Sequence, residues 1–557
     1  MNKYILILFS ILSLGVIQAQ QRVLISKELR DKAYNRDEAV MQSQYTEQAN
    51  TPWLKNHSSF VDEEKIGESR YDNQSNASIP KKVVRFDDGT IGATWTRSMD
   101  EGSFFADRGT GYNYYDGTQW GPWPTQRIED DKVHRPTYAQ FGENGELIVT
   151  HAGESGLYFS SREEKGTGEW DFSDYPGPAG HEYILWNRMV TGGVDHTSIY
   201  LLAMTLPSTH GGTPYQDLDG ALLYSMSTDG GNSWIWQNGI LGDMGSQDYV
   251  GYAGDTYAFA EPRGQTVAFV VGDPWTDLFL MKSTDGGESF EQTIIWEHPY
   301  PMWQPGTPAD TFYCADGSHS LIIDDEGIVH VAFGINRVNA DATTTYWYPY
   351  VDGIAYWNEN MGPFSNNLNA LNPYGHPDSE LIENENLIGW TQDVNNNGQL
   401  DLTDGLGLYF IGFSSMPQLV YKESSDALFL VYSSVTETYD NGDKNYRHLW
   451  ARSSTDKGET WEDFVHLTSD IAHIFDECVY PACASSTDDY LYLNYQYDIE
   501  PGTAVWAAQH NYLDNSIGFL KVPIFGSAVG EIYGKKSFSI SQNYPNPATS
   551  ETNIKVT

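Results

Sequence analysis

The sequence predicts an all-β fold in which one small antiparallel sheet is repeated along the chain. Three observations carry this prediction: a repeated octet, a composition suited to short strands, and a regular spacing of apolar strand candidates. The octets are STDGGNSW at 227–234, STDGGESF at 283–290 and STDKGETW at 454–461. Of the 557 residues, 52 are Gly and 14% are aromatic, which favours many short strands and tight turns over long helices.

Each octet has the chemistry of a hairpin turn that its own residues hold closed. The Asp side chains, Asp229, Asp285 and Asp456, accept hydrogen bonds from turn amides, while a Gly adopts the positive φ that other residues resist. The pattern Ser-x-Asp-x-Gly-x-(Ser/Thr)-aromatic resembles the Asp-box, or BNR repeat, of the sialidase superfamily, whose members are β-propellers. In that family the box lies at the periphery of a blade, so the resemblance implies a structural role for these Asp residues.

Candidate inner strands recur at intervals of about fifty to sixty-five residues, as blades of a propeller require. They number seven and lie at 82–86, 136–141, 189–193, 257–260, 321–324, 418–421 and 481–485. The prediction is therefore a β-propeller of seven blades of four-stranded antiparallel sheets, with six blades, the number in sialidases, as the alternative. Whether N-terminal residues complete the last blade stays open.

The predicted propeller spans 76–525 and follows an N-terminal segment at 20–75. Residues 366–413 break the strand spacing, which predicts a long insertion there. A linker at 526–538 follows the propeller.

Both ends of the chain carry targeting signals. Lys3, an apolar run at 4–17 and Ala19 predict a cleavable secretory signal at 1–19. The segment at 539–557, with its Gln-Asn-Tyr-Pro-Asn-Pro core, resembles the start of the type IX secretion sorting domain of Bacteroidetes. That resemblance implies the type IX secretion machinery as a partner, and the outer cell surface or the medium as the destination. No other stretch approaches membrane-spanning length.

The charge balance is strongly acidic, with 76 Asp plus Glu against 32 Lys plus Arg and a net charge of -44. Such a surface repels phosphate backbones and anionic membranes, which argues against nucleic acid as a partner. The three cysteines are Cys314, Cys478 and Cys483. Cys478 and Cys483 form either a small disulfide loop or two buried free thiols.

The predicted insertion contains a loop with calcium-ligand spacing. Oxygen-bearing side chains stand at loop positions one, three, five, nine and twelve, Gly398 stands at six for the sharp turn, and position seven can offer its carbonyl. The predicted ligands are Asp393, Asn395, Asn397, Gln399, Asp401 and Asp404. The loop resembles EF-hand-like and dockerin-type loops, with Asp404 in place of the usual Glu, and predicts a structural Ca²⁺. The alternative is an Asn- and Asp-rich surface loop with no ion.

The sialidase-like resemblance implies an arginine triad, an acidic general acid/base and a tyrosine nucleophile. The first family arginine belongs to an Arg-Ile-Pro motif, where this chain reads Ser78-Ile79-Pro80. A hydroxyl cannot replace a guanidinium fork against a carboxylate, so exo-sialidase activity is disfavoured. The candidates that remain are Asp107 and Arg108 as catalytic residues and Arg97, Arg135 and Arg188 as substrate-binding residues. His134, His181 and His319 lack the spacing of a zinc site.

Two hypotheses from different classes follow. The first is a glycan-active enzyme, a hydrolase or a lyase, that uses an axial pocket where the propeller loops converge. The second is a non-catalytic propeller that binds extracellular polysaccharide or another surface protein through the same opening.

Overall fold

The computed structural model describes residues 22–35 and 61–525, except residues 101 and 103. In these ranges the chain is nearly all β and forms seven small antiparallel sheets. Inner strands of successive sheets contact one another, and the seventh sheet contacts the first, which closes a ring. The prediction of a seven-bladed propeller is confirmed. The predicted signal peptide and sorting segment lie outside the described residues.

The first elements along the chain are helix α1 (Lys27–Arg30), strand β1 (Tyr34–Asn35) and strand β2 (Asp62–Ser69). Blade 1 contains β3 (Val83–Arg85), β4 (Ile91–Arg97) and β5 (Gly109–Tyr115). Blade 2 contains β6 (His134–Phe141), β7 (Gly145–His151), β8 (Leu157–Arg162) and β9 (Asp171–Tyr175). Blade 3 contains β10 (Ile184–Gly192), β11 (Ser198–Thr205), β12 (Leu222–Ser227) and β13 (Trp236–Gly239). Blade 4 contains β14 (Tyr257–Phe259), β15 (Val267–Val271), β16 (Leu278–Ser283) and β17 (Glu291–Trp296).

Blade 5 contains β18 (Ala309–Ile323), β19 (Val329–Ala340), β20 (Thr345–Trp347), β21 (Ile354–Asn358) and β22 (Leu387–Gly389). Blade 6 contains β23 (Ser414–Lys422), β24 (Ala427–Asp440), β25 (Asn445–Ser454) and β26 (Val465–His466). Blade 7 contains β27 (Glu477–Cys483), β28 (Tyr490–Asp498) and β29 (Asn515–Pro523). Short 3-10 turns lie at Gly153–Ser155, Ser208–His210, Gly242–Met244, Glu423–Ser425 and Ile471–His473.

The ring is closed by the N-terminal part of the chain. Strand β2 pairs antiparallel with β29 and becomes the outermost strand of blade 7, so N-terminal residues do complete the last blade. Residues 22–35 instead lie on blade 5, where β1 pairs with β20. The segment predicted as an insertion is partly structural, because β22 pairs with β21 as an outer strand of blade 5. Three residues are too few to show the alternation that identifies a strand in sequence.

The Asp-containing octets form the predicted turns on the outer side of their blades. In the second octet Asp285 Oδ1 accepts hydrogen bonds from Ser283 Oγ at 2.7 Å and from Ser289 N at 3.0 Å. Gly287 N donates to Ser283 Oγ at 2.8 Å. The turn is therefore closed by its own residues, and the octets take no part in the cavity described below.

Replacing Gly287 with alanine is expected to destabilise the propeller. The glycine has a φ of +91°, and an added Cβ would lie 2.5 Å from Tyr224 Oη and 2.8 Å from the Tyr200 ring. The left-handed backbone alone costs about 1–2 kcal/mol for a residue with a side chain. Gly286→Ala is the matched control, since its φ is +78° but its Cβ would meet only the flexible end of Gln265. Thermal melts should show the larger drop for Gly287→Ala, and equal drops would contradict the steric argument.

A recurring irregularity marks the inner side of the ring. In blades 2 to 7 a residue with positive φ stands within or just before the inner strand: Arg135, Trp186, Asp255, Gly317, Met416 and Tyr480. In five of these blades the register of the inner strand shifts at that position. Such a bulge re-aims the side chains beside it. As a result, inner-strand residues that simple alternation would direct into a blade face the centre of the ring.

The centre of the ring is filled by protein. We call residues 71–80, which connect β2 to blade 1, the axial segment; nearly all of them are buried. Three residues of the axial segment form hydrogen bonds with the blades: Gln74 with Thr96 and Gln496, Asn76 with Arg135, and Ser78 with Arg188, Asp255 and Gly317. A fourth, Ile79, belongs to an apolar cluster with Met416 and Val479. These partners come from all seven blades. A segment that touches every blade must lie on the ring axis, so the open axial pocket expected from the sequence is replaced by a cavity at one end of this segment.

Cys314, Cys478 and Cys483 are buried free thiols, which decides the alternative left open for Cys478 and Cys483. None of the helices in the described ranges has the length and apolar character needed to cross a membrane.

Candidate functional site

A cavity of about 470 Å³ lies at one end of the axial segment. Its wall combines residues far apart in sequence. Blade 1 contributes Arg108, blade 2 His134, Arg135 and His151, blade 3 Trp186, the β28–β29 connection Val505 and Trp506, and the axial segment Tyr71, Asn73 and Asn76. Lys132 and Tyr183, from the connections that precede blades 2 and 3, complete its titratable lining. Every titratable side chain of this lining is Arg, Lys, His or Tyr.

Two histidines stand side by side in the wall. His134 begins β6 and His151 ends β7, and the two residues are register partners across this hairpin. Their ring centroids lie 5.0 Å apart, and the His134 ring also meets the edge of Tyr71 with a centroid distance of 4.9 Å. The hairpin thus places two imidazoles at one point of the cavity, and the axial segment adds the phenol of Tyr71 there.

The proton of His151 is placed by a backbone hydrogen bond. The amide of Trp186, at the bulge of β10, donates to His151 Nδ1 at 3.2 Å. A neutral imidazole that accepts at Nδ1 carries its proton on Nε2, so His151 is assigned as a donor at that atom. Burial, with Arg135 and Arg108 nearby, lowers the pKa of His151 to about 3, which keeps the ring neutral near pH 7.

His134 has the complementary character. Its buried Nε2 has no hydrogen-bond partner among the described residues. Burial, followed by the charges of Arg108 and Arg135, lowers its pKa well below the ordinary value of an imidazole. His134 is therefore a neutral ring; with its proton assigned to Nδ1, the unpartnered Nε2 is an acceptor, which is the state that a general base requires.

Arg108 and Tyr71 form the next part of the wall. Arg108 Nε donates to the carbonyl of Val133 at 3.3 Å, and the guanidinium lies over the Tyr71 ring at 5.2 Å from its centroid. The terminal nitrogens of Arg108 remain for the Tyr71 hydroxyl and for a ligand. Burial raises the pKa of Tyr71, although Arg135 and Arg108 oppose the shift, so the phenol keeps its proton near pH 7.

Arg135 is held in place from behind. Its terminal nitrogens donate to the carbonyl of Asn73 at 2.8 Å and to Asn76 Oδ1 at 2.7 Å. The fully buried Asp255 lies 3.4 Å from Arg135 Nε and 3.0 Å from Arg188 Nη1. One carboxylate thus serves two guanidinium groups.

The structure separates the residues that the sequence predicts as functional. Arg108 and Arg135 line the cavity, whereas Arg97, Asp107 and Arg188 are outside its lining. Arg188 lies behind the wall on Asp255, and its role is taken up below.

Asp107 belongs to a turn beside the cavity. Its carboxylate accepts hydrogen bonds from Ser98 Oγ and, at 2.9 Å, from Met99 N. The nearest guanidinium is that of Arg97 at 3.8 Å, and the adjacent Arg108 points to Val133 instead. Burial alone would raise the pKa of Asp107, but these hydrogen bonds outweigh it and the pKa is lowered. A catalytic role for Asp107 stays a prediction, which the variant Asp107→Ala tests.

Sequence reasoning missed the histidine pair, Tyr71, Lys132 and Tyr183. A signal for the histidines was present, because His134 and His151 stand at nearly equal distances from the turn of one predicted hairpin. Residues placed in this way on antiparallel strands face each other. The rest of the wall carries no such local signal.

The loop predicted to bind calcium has the chain path of a tight Asp turn. Asp393 accepts hydrogen bonds from the backbone N of Asn397 at 3.1 Å and of Gly398 at 2.8 Å. The side-chain amides of Asn395 and Asn397 donate to Asp401 Oδ2 at 2.8 and 2.7 Å. Of the six predicted ligands, all except Asp393 are exposed. Among the described residues no group of three or more His, Cys, Asp or Glu is placed to hold a metal ion. The backbone turn suits a calcium loop, but the two amides would have to turn away from Asp401, so the structural Ca²⁺ stays a prediction.

If the loop binds calcium, a chelator is expected to lower the melting temperature of the full chain. A ligand at a hundred times its Kd stabilises a protein by about 2.7 kcal/mol, and chelation would remove that contribution. Asp393→Asn is the control, because it should weaken the response to added Ca²⁺. Identical melts in chelator and in Ca²⁺ would contradict the prediction.

No family model matches the sequence, and no curated protein matches it. Comparison with solved structures finds the following similarities. A protein of unknown function from Dyadobacter fermentans has 13% identity, with 83% of this chain and 99% of that chain covered and a TM-score of 0.37. An ulvan lyase of polysaccharide lyase family PL25 has 11% identity, with 82% and 96% covered and a TM-score of 0.42. A Trypanosoma rangeli sialidase has 12% identity, with 80% and 55% covered and a TM-score of 0.34.

Fold and site together define a seven-bladed β-propeller with a cationic, histidine-containing cavity at one end of a filled axis. The ulvan lyase and the sialidase are glycan-acting enzymes by name. Identity this low transfers no substrate, so the chemistry has to come from the cavity itself.

Proposed function

We propose that this protein is a polysaccharide lyase that cleaves acidic glycans by β-elimination at a uronate residue. The observation that carries the proposal is the His134–His151 pair, kept neutral next to Arg108 and Tyr71. An elimination of this kind needs a cation for the carboxylate, a base for the proton on the carbon next to it, and an acid for the leaving oxygen. The cavity supplies one group of each type.

The positively charged side chains of the cavity bind the substrate. The terminal nitrogens of Arg108, which also serve the Tyr71 hydroxyl, provide a charge-assisted contact for the uronate carboxylate. Lys132, which is exposed at the rim, adds positive charge at the entrance. In a protein of net charge -44, a cationic cavity attracts an anionic glycan to this site while the remaining surface repels it.

His134 takes the proton. The bound guanidinium stabilises the negative charge that develops on the carboxylate as the neighbouring C–H bond breaks. His134 Nε2 receives this proton, and the electron pair forms the C4=C5 double bond of the sugar ring. A base whose pKa is lowered stays available in mildly acidic solution.

Tyr71 returns a proton to the leaving group. As the C4–O4 bond breaks, the phenol donates its proton to O4, so that the new chain end is a neutral hydroxyl. The negative charge left on the Tyr71 phenolate is stabilised by Arg108, whose guanidinium lies over the ring. The imidazolium of His134 and the phenolate of Tyr71 exchange the proton back and complete the cycle. Because His134 Nε2 has no hydrogen-bond partner among the described residues, solvent carries this proton.

A hydrolytic mechanism finds less support in this cavity. Glycoside hydrolysis ordinarily uses two carboxyl groups on either side of the bond. The titratable lining among the described residues is Arg, Lys, His and Tyr, and the predicted Asp107 lies outside it. Asp107→Ala in the assay below separates the two mechanisms, since only hydrolysis requires that carboxylate.

A panel of purified polysaccharides tests the proposal. Uronate-containing chains, sulfated and unsulfated, are compared with neutral chains, and products are followed by the ultraviolet absorbance of the conjugated double bond. Elimination from a uronate chain supports the proposal. Products that carry a new reducing end without a double bond would show hydrolysis instead. Saturable binding without products would favour the non-catalytic propeller.

The proposed site of action is outside the cell. This part of the proposal rests on the signal at 1–19 and the sorting segment at 539–557, which imply export by the type IX secretion machinery. Cell fractionation of a Bacteroidetes host that expresses the full chain tests it. Equal export of a chain truncated before 539 would contradict the role of the sorting segment.

A further inference from the structure

Behind the cavity lies a fully buried cluster in which two arginines, Arg135 and Arg188, share one carboxylate, that of Asp255. Asp255 is 0% exposed, and its carboxylate accepts a hydrogen bond from the backbone N of Asn76 at 3.0 Å. Arg135 and Arg188, 1% and 2% exposed, both lie against it. Asp255 itself has a φ of +68°, so the backbone is held in an uncommon conformation that presents the carboxylate between the two arginines.

The other partners of the two guanidinium groups are neutral. Those of Arg135 are the carbonyl of Asn73 and the side-chain oxygen of Asn76. Arg188 donates to its neighbour's carbonyl, that of Asn187, at 2.9 Å, and to the carbonyl of Ser78. Direct contacts in the described structure therefore leave two positive charges on one negative charge.

Nearby ionisable groups do not cancel this excess. Lys82 is buried, and burial together with Arg135 and Arg188 lowers its pKa well below the ordinary value of an amine. Asp72 is the other carboxylate near this end of the axial segment. Its oxygens accept from the backbone N of Ala504 and Val505, and His510 Nε2 lies 3.8 Å away, so its direct partners are not Arg135 or Arg188.

We propose that Arg188 determines the preference of the cavity for anionic glycans although it does not line the cavity. By sharing Asp255, Arg188 leaves Arg135 incompletely neutralised, and the excess positive charge acts on the cavity through protein instead of through water. Charges interact more strongly in such a medium than in solvent. This inference rests on the proposed function, because it names what selects the acidic substrate.

Equilibrium binding tests the role of Arg188 without requiring turnover. The probes are a glucuronate-containing oligosaccharide and the same oligosaccharide with its carboxyl groups reduced to alcohols, measured by calorimetry on the full chain. Arg188→Met removes one buried charge and leaves Arg135 and Asp255 as a balanced pair. We expect about tenfold weaker binding of the acidic probe and unchanged binding of the reduced probe. Arg188→Lys keeps the charge and should restore most of the preference.

A matched variant separates this effect from a general loss of packing. Arg452 of blade 6 is also buried, but it donates to the carbonyls of Ile388 in blade 5 and Trp461 in blade 6. Arg452→Met should leave the ratio of the two affinities unchanged.

Each outcome of this experiment has a defined meaning. Equal weakening of both probes in Arg188→Met would overturn the inference and indicate a structural role. Selective weakening in a protein that binds the acidic probe without cleaving it would support the inference while contradicting the proposed lyase activity. If the wild-type protein binds neither probe, both proposals fail.

Discussion

Replacing His134 with glutamine is expected to reduce elimination by about 10²–10⁴-fold, the usual contribution of a general base. Glutamine keeps a polar side chain of similar size but cannot take up the proton. Arg108 and Lys132 are untouched, so binding of a uronate oligosaccharide should change little. The expected result is therefore a fall in kcat with nearly constant KM.

The control for His134→Gln is His448→Gln. His448 is a buried histidine of blade 6 whose Nδ1 lies 2.8 Å from His466 Nε2, away from the cavity. Its loss is expected to affect stability more than turnover. An equal loss of turnover in both variants would contradict a specific role for His134.

The dependence of the elimination rate on pH gives a second test of the role of His134. An ordinary imidazole loses its basic form below a pH of roughly 6.5. The pKa of His134 is lowered by burial and by two arginines, so the acid limb of the wild-type profile should lie below that value. A limb at the ordinary value of a solvated histidine would contradict the buried, neutral base.

Replacing Asp255 with asparagine is expected to destabilise the fold by about 3–5 kcal/mol, the cost of leaving buried charges without their partner. Asparagine preserves the size of the side chain but leaves Arg135 and Arg188 facing each other. Despite complete burial, which alone would raise it, the pKa of Asp255 is lowered by Arg188 and Arg135, which shows that the fold favours the anion. Urea unfolding of the full chain measures the loss.

Two comparisons test the explanation for Asp255. Asp255→Asn combined with Arg188→Met should recover part of the stability, since a single buried guanidinium then remains. Because the folded-state pKa of Asp255 is depressed, its contribution is present above the unfolded value of about 3.9 and is lost as pH falls through the folded value. The stability difference between wild type and Asp255→Asn should therefore narrow in acid.

Asp352→Asn provides the matched control. Asp352 is equally buried but has a single arginine, Arg22, at 3.8 Å, and burial raises its pKa. Replacing Asp352 with asparagine should lower the free energy of unfolding by less than replacing Asp255 does. An equal or larger loss at Asp352 would contradict the charge argument.

Several parts of the fold could be predicted from the sequence because their causes are local. The sequence predicts seven inner strands, and all seven overlap an observed inner strand, although β18 begins at Ala309, well before its predicted start at 321. The octet around Asp285 also closes as its residues require, since donor and acceptor are four positions apart. The segment at 366–413 is predicted as an insertion although it contains β22 of blade 5. This strand is too short to show the alternation of a strand.

The site was predicted only in part, and the reason is geometric. Arg108 is predicted as a catalytic residue and Arg135 as a substrate-binding residue, and both line the cavity. The pair was missed because His134 was considered only as a zinc ligand and His151 was not singled out as its partner across a hairpin. A bulge at Arg135 shifts the register of β6, so alternation along the strand could not show which side chains face the cavity.

The amino-acid sequence by itself determined the repeated strands, their turns and the acidic character of the chain. These depend on side-chain periodicity and on hydrogen bonds within a few residues. Only the tertiary structure decided that residues 71–80 fill the axis and that a neutral histidine pair faces the cavity. The contact between Asn76 and Asp255 spans 179 positions. Such pairings arise from ring closure and packing, because no local propensity can specify which distant backbone group will meet a buried charge.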